Sequence, residues 1–241
     1  ATAAGLTPVV SIFVNPLQFG VGEDLARYPR TLESDVALCF EHGAALVWTP
    51  TAEVLYPEGF GTKVLPSEAL TGVLCGAARP GHFTGVATVV TKLLRCVRPA
   101  VSFFGEKDYQ QLCVIKNIHR DLHLDGRIQG IPTVREADGL ALSSRNRYLS
   151  AAERAQATAL IRTLRNAAII IKKNGFLPDN DNKEAIDSVL SSGFSTVDYF
   201  EVRHGDDLRL VQPGDSLAAA RVFIAARLGN TRLIDNISVQ G

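Results

Sequence analysis

The stretch Val101-Ser-Phe-Phe-Gly-Glu-Lys-Asp-Tyr-Gln-Gln-Leu112 decides the fold of this 241-residue chain. Its first four residues form an apolar run that predicts a buried strand ending at Gly105. Apolar residues then recur at helical spacing from Leu112 to Leu122, which predicts a helix directly after the strand. Ligands of open α/β folds bind outside the carboxyl ends of strands, and the turn between these two elements occupies that position.

The turn between this strand and helix contains groups that suit an anion. Gly105 permits a phosphate to approach the backbone, and the helix start offers unpaired N–H groups. Lys107 adds a mobile positive charge. The spacing matches neither Gly-x-x-x-x-Gly-Lys-[Ser/Thr] nor Gly-x-Gly-x-x-Gly. A solvated turn with an ordinary Glu/Lys/Asp surface cluster explains these residues equally well when they are taken alone.

The composition favours a globular protein of a reducing compartment. Twenty-five Lys and Arg residues balance 25 Asp and Glu residues, so net charge gives no reason to expect nucleic acid or acidic membranes as partners. No apolar run approaches the roughly 18 residues that a membrane helix needs. The cysteines are irregularly spaced and contain no Cys-x-x-Cys pair. We therefore predict a cytoplasmic protein without a zinc site or a disulfide framework.

Strand and helix patterns alternate along residues 1–147. The apolar and β-branched runs predict strands at 8–14, 45–48, 101–104 and 127–132. Helical spacing predicts helices after Thr31, over 86–97 and over 112–122, and the glycine-rich stretch 59–81 is expected to be irregular. This alternation predicts a Rossmann-like α/β fold with a doubly wound parallel sheet and helices on both faces.

The pattern changes after Leu149. Ser150 and Glu153 form a capping box that opens a helix through about residue 173. A polar loop at 178–181 precedes a second helix from Lys183, and strands are expected at 197–202, 221–226 and 231–239, the last interrupted by Asp235-Asn236. We therefore predict two domains, a Rossmann-like α/β domain over residues 1–147 and a smaller α+β domain over residues 148–241.

Three further groups are candidates for a ligand site. Ser143, Ser144 and Arg145 offer hydroxyl donors and a fixed cation suited to triphosphate oxygens, although a polar loop between domains is the alternative. Asn15 and Gln18 follow the first strand, where neutral amides could orient a hydroxy-acid or simply form a turn. His82, in a loop rich in Gly and Pro, could contact a ligand or be structural.

Two familiar chemistries are not indicated. His119 and His123 are four residues apart on a predicted helix, a spacing that can bind a metal, but no third ligand accompanies them, so no metal site is predicted. Ser143 and Ser144 are not expected to be hydrolase nucleophiles, because the chain contains no Gly-x-Ser-x-Gly.

Seven ordered motifs resemble those of the pantothenate synthetase (pantoate–β-alanine ligase) family. They are Ser11-Ile-Phe-Val-Asn-Pro16 with Gln18-Phe19, Asp24-Leu25 with Tyr28-Pro-Arg30, Arg79-Pro-Gly-His-Phe83, Phe104-Gly-Glu-Lys-Asp108 with Gln110-Gln111, Arg135-Glu136 with Asp138-Gly139, Leu142-Ser-Ser-Arg-Asn146, and Arg232-Leu-Ile-Asp-Asn236. Together they extend over essentially the whole chain. Their number and order make the resemblance far more specific than any single motif.

The resemblance implies an adenylate-forming ligase of the nucleotidyl transferase superfamily. ATP and pantoate would give pantoyl adenylate and pyrophosphate, and β-alanine would then displace AMP to give pantothenate. Mg²⁺ and positioned cations would stabilise the negative charge that develops during attack on the α-phosphate. The family's usual homodimer is also expected.

The resemblance also implies a set of site residues. Lys107 and Arg145 would be the catalytic cations on the phosphates. The residues expected to bind ATP are Gly105, Glu106, Lys107, Asp108, Val134, Leu142, Ser143, Ser144 and Arg145. Those expected to bind the other substrates are Gln18, Gln111, Asn15, Tyr28 and His82, with Gln18 and Gln111 holding pantoate and Gln18 also near β-alanine.

One family feature does not occur in these 241 residues. Members have a strand and a His-x-Gly-His nucleotide-binding motif upstream of the Ser-Ile-Phe-Val-Asn-Pro run, so an N-terminal unit is expected to be missing here. Two alternatives to the ligase follow. The chain could be a truncated, non-catalytic relative that binds pantoate, or another nucleotidyl transferase with a different acceptor. The neutral amides of Gln18 and Gln111 suit a hydroxy-acid better than a phosphorylated substrate.

Overall fold

The computed structural model describes residues 5–20 and 22–240. The chain divides into two compact units made of interleaved segments. Unit 1 comprises Ala1–Pro66, Arg79–Phe103 and Val114–Gln129, and unit 2 comprises Ser67–Ala78, Phe104–Cys113 and Gly130–Gly241. These units follow packing, whereas the division at residues 147 and 148 follows sequence pattern and stays a prediction.

The first two predicted strands form a parallel pair in unit 1. Strand β1 (Val9–Ser11) lies alongside β2 (Leu46–Trp48), with Val9 opposite Leu46, and helix α1 (Leu32–Glu41) lies between them along the chain. A parallel pair with a helical crossover is the repeating unit of an α/β fold. Strand β1 is shorter than the predicted 8–14. Thr31 precedes α1 but does not cap it, because its hydroxyl donates to the Asp35 carboxylate.

The region that was predicted to be irregular contains short helices. These helices are α3 (Glu68–Thr71) and α4 (Leu74–Ala78), and a third short helix, α2 (Ala52–Leu55), lies just before the region. The Gln110 side chain, only 6% exposed, donates to the carbonyls of Leu70 and Val73 and accepts from the Cys75 N–H. These bonds satisfy the ends of α3 and α4, so short helices form where glycine spacing alone indicated loops.

The central elements match the periodic patterns closely. Helix α5 (His82–Val97) buries Val86, Val89 and Val90. It is followed by β3 (Val101–Gly105), α6 (Tyr109–Asp121) and β4 (Arg127–Ile131). Strands β3 and β4 pair with each other in a two-stranded sheet. A 3₁₀ turn (Glu106–Asp108) joins β3 to α6, so α6 begins three residues before the predicted Leu112.

The long helix predicted after Ser150 is two helices in unit 2. Both bonds of the Ser150–Glu153 capping box are present at the start of α7 (Ala151–Gln156). The helix is then interrupted for two residues before α8 (Ala159–Asn174) begins. The Thr158 hydroxyl donates to the Ala155 carbonyl, a local bond that competes with helix continuation. Helix α9 (Asp179–Ser191) begins earlier than predicted, because Asp179 and Asp181 suit a helix first turn.

An antiparallel sheet packs against α8 within unit 2. Its strands are β5 (Thr196–His204), β6 (Ala220–Leu228) and β7 (Thr231–Ser238), in the order β5-β6-β7. The predicted interruption at Asp235-Asn236 is wrong, because these residues pair regularly with Ile224 and Phe223. Both side chains are buried, and each has hydrogen-bond partners that allow a polar residue to occupy a strand there.

We expect Gly85→Ala to destabilise unit 1. A Cβ at this buried position of α5 would overlap the Leu17 carbonyl, so the backbone near Gln18 would have to shift. Overpacking of this kind costs about 1–3 kcal/mol. Thermal denaturation would measure the loss. Gly61→Ala is the matched control, since among the described residues other than its chain neighbours no atom lies within 4 Å of a Cβ there. Equal melting temperatures for the two variants would contradict the prediction.

Candidate functional site

Most of the predicted site residues fall into two groups, one in each unit, and each group includes neighbours that were not predicted. In unit 1, the Gln18 group consists of Asn15, Gln18, Arg79 and His82. In unit 2, the Lys107 group consists of the turn Gly105–Asp108, Gln111 and the segment 134–145.

Asn15 organises the Gln18 group. Its side chain is 3% exposed, and its NH₂ group donates to Gln18 Oε1 at 3.2 Å and to the Gly85 carbonyl at 3.1 Å. Its Oδ1 accepts from Leu17 N–H at 3.2 Å and from the Tyr56 hydroxyl at 2.7 Å. Burial raises the pKa of Tyr56 to about 12, so this hydroxyl remains a donor at neutral pH. Asn15 therefore orients Gln18, and its predicted contact with a substrate stays a prediction.

The amide of Gln18 has a defined orientation. Because its oxygen accepts from Asn15, its NH₂ group is the end suited to donate to a ligand oxygen. The Gln18 carbonyl accepts from His82 Nδ1 at 2.8 Å and from Arg79 Nη2 at 3.3 Å. Both the side chain and the backbone of Gln18 are thus held by hydrogen bonds within unit 1.

The partners of His82 define its tautomer. A carbonyl can only accept, so Nδ1 bears the proton that points at Gln18 O. Arginine can only donate, so Nε2, at 3.1 Å from Arg79 Nη1, is the acceptor. His82 therefore supports the Gln18 backbone through Nδ1, and its predicted contact with a ligand stays a prediction.

Arg79 was not among the predicted site residues, although it begins one of the seven motifs. It forms a bidentate pair with Glu23, at 2.7 Å through Nε and 2.6 Å through Nη2. Burial would raise the pKa of Glu23, but the hydrogen bonds and charge of Arg79 hold it below the ordinary value of 4.5. The signal in the sequence was an arginine in a Gly/Pro-rich loop, and its carboxylate partner 56 residues away could not be read from spacing.

A cavity of about 390 Å³ opens beside Gln18. Its lining includes Gln18, His82, Thr84, Thr88, Lys63 and Leu65. This volume suits a small polar molecule, and Lys63 adds a cation that the sequence reading missed. Phe19 also lines this cavity, and the ring of Tyr28 packs edge-on against the ring of Phe19. Tyr28 itself is not among the lining residues that the structure describes.

The Lys107 group begins at the end of β3. Gly105 is exposed and has extended backbone. Apart from its two chain neighbours, residues 5–20 and 22–240 place no atom within 4 Å of the position that a Cβ would occupy, so the space above it is open. Lys107 follows with a side chain that is 19% exposed, and its Nζ lies 3.9 Å from Asp108 Oδ1. The Asp108 side chain is half exposed. Open backbone beside a cation is the arrangement expected for a phosphate.

The two adjacent glutamines have different environments. Gln110 is buried, and its amide is occupied by the backbone of α3 and α4 as described above. Gln111 is half-buried on the next position of α6. Gln111 is therefore better placed than Gln110 to bind a ligand, and its predicted contact with pantoate stays a prediction.

A hairpin-like loop brings Val134 and Leu142 together. The Leu142 N–H donates to the Val134 carbonyl at 2.9 Å, and Arg135 and Ala141 form a bridge between the two arms. The side chains of Val134 and Leu142 are largely exposed, so they are free to make apolar contacts with the adenine base of a nucleotide. The Ser143 hydroxyl accepts from Arg145 N–H and begins the 3₁₀ turn Ser144–Tyr148, so the backbone of the second arm is fixed as well.

Other features of the described residues bear on the remaining predictions. Among residues 5–20 and 22–240, no group of three or more His, Cys, Asp or Glu side chains is arranged to hold a metal ion. None of the helices in these ranges is both long and apolar enough to cross a membrane. The four cysteines are free thiols.

Comparison with known proteins defines the class and then the family. A solved pantothenate synthetase from Thermus thermophilus superposes with a TM-score of 0.86 at 47% identity, over 96% of this chain and 83% of that one. A pantoate-β-alanine ligase from Francisella tularensis, described as complexed with beta-gamma ATP and β-alanine, gives a TM-score of 0.79 at 32% identity, over 97% and 79%. The predicted fold class is confirmed, and the fold is that of a nucleotidyltransferase-type ligase.

Sequence comparison identifies the family within that class. The family model for pantoate-β-alanine ligase matches residues 1–238. The pantothenate synthetase of Mycolicibacterium paratuberculosis is 50% identical over 236 residues, which are 98% of this chain and 74% of that protein. That of Novosphingobium aromaticivorans is also 50% identical, over 96% and 81%. The chain belongs to the pantoate-β-alanine ligase family, and the resemblance drawn from the seven motifs is confirmed.

We expect the Arg79–Glu23 pair to stabilise the protein above the pKa of Glu23 only. Because folding lowers this pKa, the stabilisation is fully present above pH 4.5 and is lost as the pH falls through the lower folded value. Glu23→Gln should therefore lower the melting temperature at pH 7 and have a shrinking effect as the pH falls below 4.5. The exposed Glu33→Gln is the control, and a pH-independent difference between Glu23→Gln and wild type would contradict the assignment.

Proposed function

We propose that this chain joins pantoate to β-alanine through a pantoyl adenylate, releasing pyrophosphate and then AMP. The observation that supports this most is the oriented Gln18 amide beside a small cavity, in a chain of the pantoate-β-alanine ligase family. A neutral amide can bind the hydroxyl and carboxylate oxygens of a hydroxy-acid without neutralising the carboxylate that must attack ATP.

Adenylation would use the Lys107 group. Attack of the pantoate carboxylate on the α-phosphate builds negative charge on the phosphate oxygens, and pyrophosphate leaves. Lys107 and Arg145 are the proposed cations for this charge, and the open backbone at Gly105 gives the phosphates room. Val134 and Leu142 would contact the base, with Ser143, Ser144, Glu106 and Asp108 completing the ATP site.

Amide formation would follow with little further catalysis. The adenylate is already an activated acyl group, so the amine of β-alanine needs mainly to be held close while water is kept away. Gln18 and Gln111 are proposed to hold the pantoyl group, with His82 and Tyr28 supporting the Gln18 side. The carboxylate of β-alanine would remain outside the reaction, where Lys63 at the cavity wall could pair with it.

Mg²⁺ is proposed to arrive with ATP. It is commonly bound by one or two carboxylates together with substrate phosphates, and the half-exposed carboxylate of Asp108 fits that mode. When bound, it would neutralise phosphate charge. A homodimer and a cytoplasmic location complete the proposal, and sedimentation velocity would test the first of these.

The experiment that tests the function is pantoate-dependent exchange of labelled pyrophosphate into ATP. Exchange that requires pantoate would establish the adenylation half-reaction, and added β-alanine should then yield pantothenate and AMP. A folded chain that binds pantoate without exchange would be a non-catalytic binding protein. Exchange with a different acid would indicate another nucleotidyl transferase.

Lys107→Ala should slow pyrophosphate exchange severely. If Lys107 stabilises the developing phosphate charge, its loss should cost about 2–4 kcal/mol of transition-state stabilisation. Lys116→Ala is the matched control, because Lys116 is exposed on helix α6, which directly follows the turn that bears Lys107. Turnover near the wild-type rate in Lys107→Ala would exclude the proposed role.

Gln18→Ala should raise the KM for pantoate more than the KM for ATP. The substitution removes the oriented amide but leaves the Lys107 group intact, so the loss should be specific to the acid. Steady-state kinetics with each substrate varied in turn would measure this, with the exposed Gln129→Ala as control. Equal changes in the two KM values would argue against a pantoate contact.

A further inference from the structure

We propose that Asn236 is a positioning residue that holds the Glu106–Lys107 backbone so that the Lys107 side chain can reach the phosphates. The inference rests on the proposed function and extends it to a residue of β7 that is not among the residues proposed to bind a substrate. Its basis is a hydrogen-bond network confined to unit 2.

The Asn236 amide bonds directly to the turn that bears Lys107. Its side chain is 2% exposed, and its NH₂ group donates to the Glu106 carbonyl and to the Lys107 carbonyl, each at 2.9 Å. Two donors of one side chain therefore hold two successive peptide groups. Such a contact fixes the direction in which the Lys107 side chain leaves the backbone.

Arg221 determines which end of the Asn236 amide faces the turn. Its Nε and Nη2 donate to Asn236 Oδ1 at 2.9 and 2.7 Å, so the oxygen points at arginine and the NH₂ group at the turn. The guanidinium carbon also lies 3.9 Å from the centre of the Tyr109 ring, and Nη2 lies 3.5 Å from Glu106 Oε2. Arg221 thus contacts the residues on both sides of Lys107 and Asp108.

The preceding residue of β7 holds the other predicted ATP segment. Asp235 accepts from Arg135 at 2.7 and 3.0 Å, and Arg135 also donates to the Asn236 carbonyl at 3.3 Å. Arg135 lies on the arm that begins at Val134, beside Leu142. Adjacent residues of one strand therefore fix both the Lys107 turn and the Val134–Leu142 loop in one frame.

Asn236→Asp tests this with little change in volume. The carboxylate keeps an acceptor for Arg221 but replaces the NH₂ donor with an oxygen that faces two carbonyls. We expect a drop of about tenfold in the single-turnover rate of pantoyl adenylate formation, a barrier change near 1.4 kcal/mol. The KM for pantoate should stay within about twofold of wild type, since Gln18 and Gln111 are untouched.

A double-mutant cycle separates positioning from general structural damage. If Asn236 acts through Lys107, adding Asn236→Asp to Lys107→Ala should slow the reaction no further. The inference would be overturned if the double variant were slower than Lys107→Ala by the same factor that Asn236→Asp alone causes. It would also be overturned if Asn236→Asp reacted at the wild-type rate. Asn182→Asp is the matched control, because Asn182 also donates to a backbone carbonyl in unit 2, that of Phe200, and should leave the rate unchanged.

If Asn236→Asp does not fold, Arg221→Lys replaces it in the double-mutant cycle with Lys107→Ala. Lysine cannot make both of the bonds that Arg221 donates to Asn236 Oδ1, so the orientation of the amide should be lost. If the wild-type chain shows no exchange, the proposed function fails, and MgATP binding becomes the measurement. Weaker binding by Asn236→Asp than by wild type would then sustain the positioning role, and equal binding would overturn it.

Discussion

Buried side-chain amides stabilise the irregular backbone of this protein. Asn15, Gln110 and Asn236 are each at most 6% exposed, and each bonds to backbone groups of short turns: Leu17 N–H, the Val73 carbonyl and the Lys107 carbonyl. A buried peptide group without a partner costs about 1–3 kcal/mol, so these turns could not stay folded without such donors and acceptors. An amide can serve two or more peptide groups at once because it both donates and accepts.

Hydrogen bonds from buried amides explain how segments outside helices and strands can form a well-ordered site. The proposed phosphate turn, the Gln18 turn and the loop from Val134 to Leu142 are all connecting segments, where conformational entropy opposes order. Each is fixed by side chains from regular elements or by its own cross-arm bonds. Charged pairs add to this, since Arg79 with Glu23 and Arg135 with Asp235 hold neighbouring segments through bidentate contacts.

The same arrangement fits the demands of the adenylate-forming reaction proposed above. Such an enzyme needs little covalent chemistry of its own, but it must hold a carboxylate, a triphosphate and later an amine in defined places. Neutral amides bind the acid without lowering its nucleophilicity, and cations on a fixed turn meet the charge that develops on phosphate. Membership of the pantoate-β-alanine ligase family and the geometry of each unit are consistent with neutral amides that bind the acid and cations that stabilise the phosphates.

The sequence by itself determined the periodic elements and the family. Helices α5 and α6, the strands near them and the Ser150 cap follow from local spacing, and the seven motifs are enough to indicate the family. Local patterns failed where the decisive partner was remote. Gln110 stabilises α3 and α4 from about 40 residues away, and Asp235-Asn236 reads as a break in a strand until Arg135 and the Lys107 turn appear as its partners. The tertiary structure alone decided which polar residues orient others, because a hydrogen bond depends on distance in space, which spacing along the chain does not specify.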